Sequence, residues 1–123
     1  MNPLADLELI LAANPSDVPA RDYYVSFMLL AKDIEGLRHY IENVPEAYDG
    51  QGNLHPHLQE AVLIYAEGDR DYCEDHGVTV DTFERYEAFR KKFVTLRNSG
   101  SNPVTGMKSF SKTFWYYYMF IND

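Results

Sequence analysis

Between Ser16 and Val44 two apolar stripes of helical period are separated by nothing longer than Lys32-Asp33. In the first, Ala20, Tyr23, Tyr24, Phe27 and Ala31 recur at i, i+3, i+4, with Met28 and Leu30 broadening the stripe; in the second, Ile34, Leu37, Tyr40, Ile41 and Val44 share one side. A connection this short makes the two helices pack antiparallel as a hairpin, and the breadth of the first stripe implies a helix buried nearly all round. The rest of the chain keeps the helical period. No segment alternates as a half-buried strand does, and Val78 to Val80 is the single stretch that could be extended. The expected fold is all-α, with five to seven antiparallel helices in hairpins; a compact irregular bundle is the alternative.

Local signals set the boundaries. Asn2 and Pro3 suit the start of a first helix bearing Leu4, Leu7, Ile10 and Leu11, which Asn14-Pro15 stops; Ser16 and Asp17 can cap the next. Pro45 ends the third helix, and Tyr48 to Asn53 is rich enough in turn formers to be a surface loop. Pro56 opens a helix with Leu58, Ala61, Val62 and Tyr65 on one face, extended by Leu63 and Ile64, and Gly68-Asp69 closes it. Asp69 to Val80 reads as a short helical turn around Tyr72 and a loop punctuated by Gly77. Asp81, with Glu84 three residues on, has the form of a capping box for a helix lined by Phe83, Tyr86, Phe89, Phe93 and Leu96. Asn98 to Gly106 is expected to be an exposed, mobile connection, and a final helix is expected from about Met107 to Ile121.

A chain of 123 residues accommodates one core, since domains cluster at about 100–150 residues. Its net charge of −8 repels phosphate backbones, and the densest basic stretch, Arg85 to Arg97, shares its helix with Glu84 and Glu87 and reads as a solvated face. Nucleic acid and anionic membrane surfaces are therefore poor partners. Cys73 is the single cysteine, so no internal disulfide can form. Met1 to Ala12 carries Asp6 and Glu8 and no basic n-region, which is not the pattern of a secretory signal. The longest apolar run, Phe114 to Ile121, is far short of the ~20 residues a bilayer requires, so a soluble segment is expected.

From Ala13 to Tyr40 the succession Asn14-Pro15, Ala20, Tyr24, Leu30, Lys32-Asp33, Glu35 and Tyr40 resembles a tetratricopeptide repeat, in which small and bulky positions let paired antiparallel helices stack on their neighbours. A displacement of about 34 residues brings Leu58, Ala61, Ile64 and Tyr65 into comparable places, although Asp69 to Val80 departs from the pattern. The resemblance implies one helical domain over residues 1–123, with a tetratricopeptide-like unit at about 13–45, a weaker one at about 54–97 and a closing C-terminal helix at about 107–121. The wider arrangement, PLADLELILAANPS, LLAKDIEGLRHYIE, PHLQEAVLIYA and SKTFWYYYMFI, looks like the C-terminal region of an uncharacterised family of bacterial multi-spanning membrane proteins. It implies a soluble module attached to an inner-membrane protein, and it brings no catalytic residue.

Several constellations carry chemistry. His55-Pro56-His57 supplies two imidazoles near Asp49, Glu60 and Asp69, yet zinc needs three or four convergent ligands, and a Pro-led helix start explains the segment. Cys73-x-x-His76 is half of a metal site without a second half, and its thiol has one nearby base. Glu67, Asp69, Asp71, Glu74 and Asp75 lack the D-x-D-x-D-G order of a calcium loop and read as a solvated surface. No catalytic residue, metal or cofactor is assigned. Phe114 to Ile121 is hydrophobic all round and must be covered on most sides, either by the domain's own core or by another protein resting on Trp115, Tyr116 and Met119.

The expected function is non-catalytic: a protein–protein interaction or scaffolding module whose concave face receives a peptide or a neighbouring domain, with Tyr23, Tyr24, Tyr65, Trp115, Tyr116 and Met119 as aromatic and soft anchors. Binding of a small saccharide-like ligand on the same aromatic faces is the alternative.

Overall fold

A computed structural model describes residues 3–14, 16–66 and 69–121. The roles read above for Asn2, Pro15 and Glu67-Gly68, and for the side chains of Leu4, Leu30, Tyr117 and Ile121, lie outside the described residues. The fold is all-α. Helices α1 (Pro3–Ala13), α2 (Val18–Leu30), α3 (Ile34–Asn43), α4 (Pro56–Tyr65), α5 (Arg70–Asp75) and α6 (Val80–Asn98) are followed by the short α7 (Pro103–Gly106) and α8 (Phe114–Tyr116), which runs on into a π-helical turn, Tyr117–Ile121. Among the described residues no strand forms, and one isolated bridge pairs Tyr48 with Leu54.

The tight connections have a common construction. After α2, Lys32 takes the left-handed conformation (φ 56°), so that the Asp33 N–H donates to the Met28 carbonyl at 2.7 Å and the Lys32 N–H to the Leu29 carbonyl at 3.1 Å. Asp33 then accepts the Gly36 N–H at 2.9 Å and so starts α3 at once. Gly77 (φ 72°) and Gly100 (φ 77°) close α5 and α6 in the same way, with Val78 N–H bonded to Cys73 O at 3.0 Å and Ser101 N–H to Leu96 O at 3.0 Å. Asp17, Asp69, Thr79 and Asn102 cap the helices that follow them.

Three boundaries differ from expectation. The cap of α6 is Thr79 rather than Asp81, because the Thr79 hydroxyl accepts the Thr82 N–H (3.3 Å) and bonds the Thr82 hydroxyl (3.0 Å). The connection Asn98 to Gly106 contains a helical turn, since Asn102 caps α7 and Pro103 is pre-set for its first position. No single helix spans Met107 to Ile121: Lys108–Phe110 is a 3-10 turn, and the Thr113 hydroxyl, accepting the Tyr116 N–H at 3.2 Å, restarts the chain as α8.

The centre of the molecule is α4, which packs against α2, α3, α6 and α8. Six consecutive residues, Leu58 to Leu63, are buried, so this helix is the one covered all round. The reading of α2 as nearly all buried is corrected. Its covered side is Ala20, Arg21, Val25, Met28 and Leu29, whereas Tyr23 is 64% exposed. Packing on α1, α3 and α4 turns the arc containing positions 21, 25 and 28 inward, and Tyr23 and Phe27 are left on the outer edge.

Candidate functional site

The outer edge of α2 carries two adjoining concavities. The larger, of about 430 Å³, lies between Tyr23, Ser26, Phe27 and Leu29 on α2 and Ser111 to Phe114 in the segment leading into α8. The smaller, of about 220 Å³, is walled by Val18, Arg21 and Asp22 of α2 and by His55 to Leu58 at the start of α4. His57 stands between them: its Nδ1 lies 3.8 Å from Asp22 Oδ2, and its ring centroid is 5.1 Å from that of Phe114. Tyr23 and Phe114 thus give the larger cleft aromatic walls, and Lys112 gives it a cation.

Arg21 is the unusual member of this face. It is 6% exposed, and its Nε is buried without a hydrogen-bond partner; the nearest carboxylate oxygen, Asp22 Oδ1, is 3.9 Å away. The buried Tyr40 hydroxyl is likewise without a partner. Burial pushes the Tyr40 phenol up, and the nearby Arg21 charge works in the opposite direction.

The six residues expected to bind do not converge. Tyr23 lines the larger cleft, while Tyr24, its neighbour in sequence, faces a separate recess of about 240 Å³ with Leu11, Tyr40 and Glu46. Tyr65 is engaged inside the fold. Its hydroxyl bonds that of Tyr72 at 2.9 Å, Tyr72 donates to Glu42 Oε2 at 2.7 Å, and the Arg38 guanidinium covers the Tyr65 ring at 4.7 Å. Trp115 is 2% exposed, and Tyr116 is also buried, so an exposed patch made of both is corrected. The reason is local: Trp115 Nε1–H donates to the Glu60 carbonyl at 2.9 Å, its ring packs 5.1 Å from Tyr86, and the Tyr116 hydroxyl donates to the Val104 carbonyl at 3.1 Å. Met119 remains 47% exposed beside Trp115, Phe93 and Arg97.

The polar groups weighed for catalysis or metal are separate from one another. Among the described residues no three His, Cys, Asp or Glu side chains gather closely enough to hold a metal ion. Cys73 is buried, and burial followed by the charges of Asp69 and Glu74 pushes its thiol up to about 11, the reverse of an activated nucleophile. His76 stacks on Tyr72 at 4.0 Å, Asp69 caps α5, and Glu74 pairs with Arg70 at 3.5 Å.

Sequence reasoning did not find that Arg21, Gln59, Glu60 and Thr82 are buried. Gln59 donates to the Leu54 carbonyl at 2.8 Å and accepts the N–H (3.0 Å) and hydroxyl (3.1 Å) of Thr79. Glu60 accepts the Phe114 N–H at 3.1 Å and lies 3.9 Å from Arg85; desolvation raises its carboxyl above the usual range, against the pull of that hydrogen bond, His57 and Arg85. The available signal was the Gln59-Glu60 pair itself, two polar residues within a helix apolar on both flanks.

Fold and face together define an all-α domain of helix hairpins, with no described helix long and apolar enough to cross a membrane. The chain belongs to a family of unknown function, DUF6057, which matches residues 1–121. No curated protein and no solved structure matches it.

Proposed function

We propose that this domain is a non-catalytic protein–protein interaction module and that its docking surface is the cleft between α2 and Ser111 to Phe114. The observation that carries the reading is Tyr23, a large aromatic side chain 64% exposed on the rim of the largest concavity of the face, where the core does not use it. Exposed aromatic residues beside an apolar groove are the commonest energetic anchors of protein interfaces. The α2–α3 hairpin, joined by Ala31, Lys32 and Asp33, supports a tetratricopeptide-like ancestry, and the module acts as the soluble, membrane-attached part of a larger bacterial protein. A saccharide-like ligand has less support, because Tyr23, Tyr24, Tyr65 and Trp115 face different surroundings.

A photo-cross-linking residue placed at Tyr23 in cells that make the protein naturally tests the reading, with the exposed Ala88 on α6 as control position. A discrete adduct from position 23 that is absent from position 88 is expected. In the purified complex, Tyr23→Ala then weakens affinity by about tenfold or more, as for an interface anchor. Equal adducts from both positions, or none from position 23, would overturn the proposal.

A further inference from the structure

We infer that the smaller recess, walled by Arg21, Asp22, His55 and His57, is a binding site for a single carboxylate group on a short stem. An arginine withdrawn from water keeps its charge, and the missing hydrogen bonds leave a large solvation penalty unless an anion meets it. Arg21 is more than nine-tenths buried, its Nε has no partner, and it forms part of the recess wall. A second, independent source of positive potential lies opposite. The recess is also lined by Pro56, His57 and Leu58, the first turn of the ten-residue α4; Pro56 has no N–H and the Leu58 N–H donates to the His55 carbonyl at 2.9 Å, so the helix dipole and the His57 N–H are what favour an anion there.

The chemistry of the remaining wall narrows the ligand. Asp22 puts one negative charge on the rim, 3.9 Å from Arg21 and 3.8 Å from His57, so a dianionic phosphate would face about twice the repulsion that a monoanion does. A planar carboxylate matches the planar guanidinium fork. The volume of about 220 Å³ is below that of pockets for drug-sized ligands, roughly 300–1,000 Å³, and suits the acid group with a few attached atoms. Val18 and Leu58 offer that stem an apolar contact. The carboxylate can belong to a free small acid or to the end of a peptide.

Thermal unfolding of the whole chain separates these sources. Acetate and N-acetylglycine are compared with chloride at equal ionic strength, and N-acetylglycinamide serves as the uncharged control. Both acids are expected to raise the midpoint saturably by a few degrees over chloride, and the amide is not. A stronger response to N-acetylglycine identifies a chain end as the natural ligand, and a stronger response to acetate identifies a free acid. Arg21→Met is expected to melt at or above the wild-type temperature, because a buried guanidinium whose nearest carboxylate is 3.9 Å away is replaced by an apolar side chain, and to lose the response to both acids. Tyr23→Ala retains the response, which keeps this site distinct from the docking cleft. In the wild type, the Arg21 Nε–H resonance is expected to shift saturably with acetate and not with chloride, a readout that requires no substitution. A resonance unmoved by acetate, a midpoint that follows ionic strength alone, or an acid response that survives in Arg21→Met would overturn the inference.

Discussion

Gln59 is buried, and both polar atoms of its amide are used, one on Leu54 before α4 and the other on Thr79 at the start of α6. A buried amide in this position fixes two chain segments that share no regular structure. Gln59→Leu conserves the bulk but strands a carbonyl and an N–H, at about 1–3 kcal/mol for each group left unsatisfied. Urea denaturation is expected to show that loss, whereas Gln51→Leu in the exposed turn changes stability little. At this scale the sequence was least legible. Arg21, Gln59 and Glu60 look like ordinary solvent-facing residues of amphipathic helices, because periodicity reports which residues are apolar and not which polar ones have partners inside.

Helix existence and most helix starts were legible, since they depend on side chains that bond the backbone within three residues. Asp17 and Asp33 before α2 and α3 are of this kind, and the turn at Gly77 was legible for a different reason, a left-handed conformation that glycine takes without a Cβ clash. What the sequence concealed was competition between equally suitable caps, as with Thr79 and Asp81, and breaks made by one hydroxyl, as at Thr113. Gly77 offers a quantitative test. A Cβ there would lie 2.6 Å from the Gly52 carbonyl oxygen and 2.8 Å from the Leu54 nitrogen, while at Gly100 it would meet nothing within 4 Å, with a similar φ. Gly100→Ala should therefore lose only the left-handed penalty of about 1–2 kcal/mol. Gly77→Ala adds the backbone clash and is expected to lose clearly more, as read from paired urea midpoints.

For the whole molecule, the decisive contact joins Glu60 of α4 to Phe114 and Trp115, more than fifty positions later in the chain. Its carboxyl is raised in the folded protein, so the stability it contributes is complete below the ordinary carboxylate range and is lost as pH rises through the raised value. Once ionised, the buried group is a burden that the Phe114 N–H, His57 and Arg85 relieve only in part. Glu60→Gln keeps an acceptor for the Phe114 N–H and removes the charge. The difference in unfolding free energy between variant and wild type is expected to shift in favour of the variant as pH rises above the ordinary carboxylate range; a pH-independent difference would deny Glu60 this role.

The same contact imposes an order in time. Helix α4 can be wrapped early by α2 and α3, which precede it, but the side that receives Trp115 stays bare until synthesis has delivered α8. A nascent chain therefore carries the helix that ends up at its centre half-dressed through most of its own manufacture. Pairings this distant in sequence are also the slowest to find one another. The interval before α8 arrives is thus when the face of α4 that later receives Trp115 lies open to water.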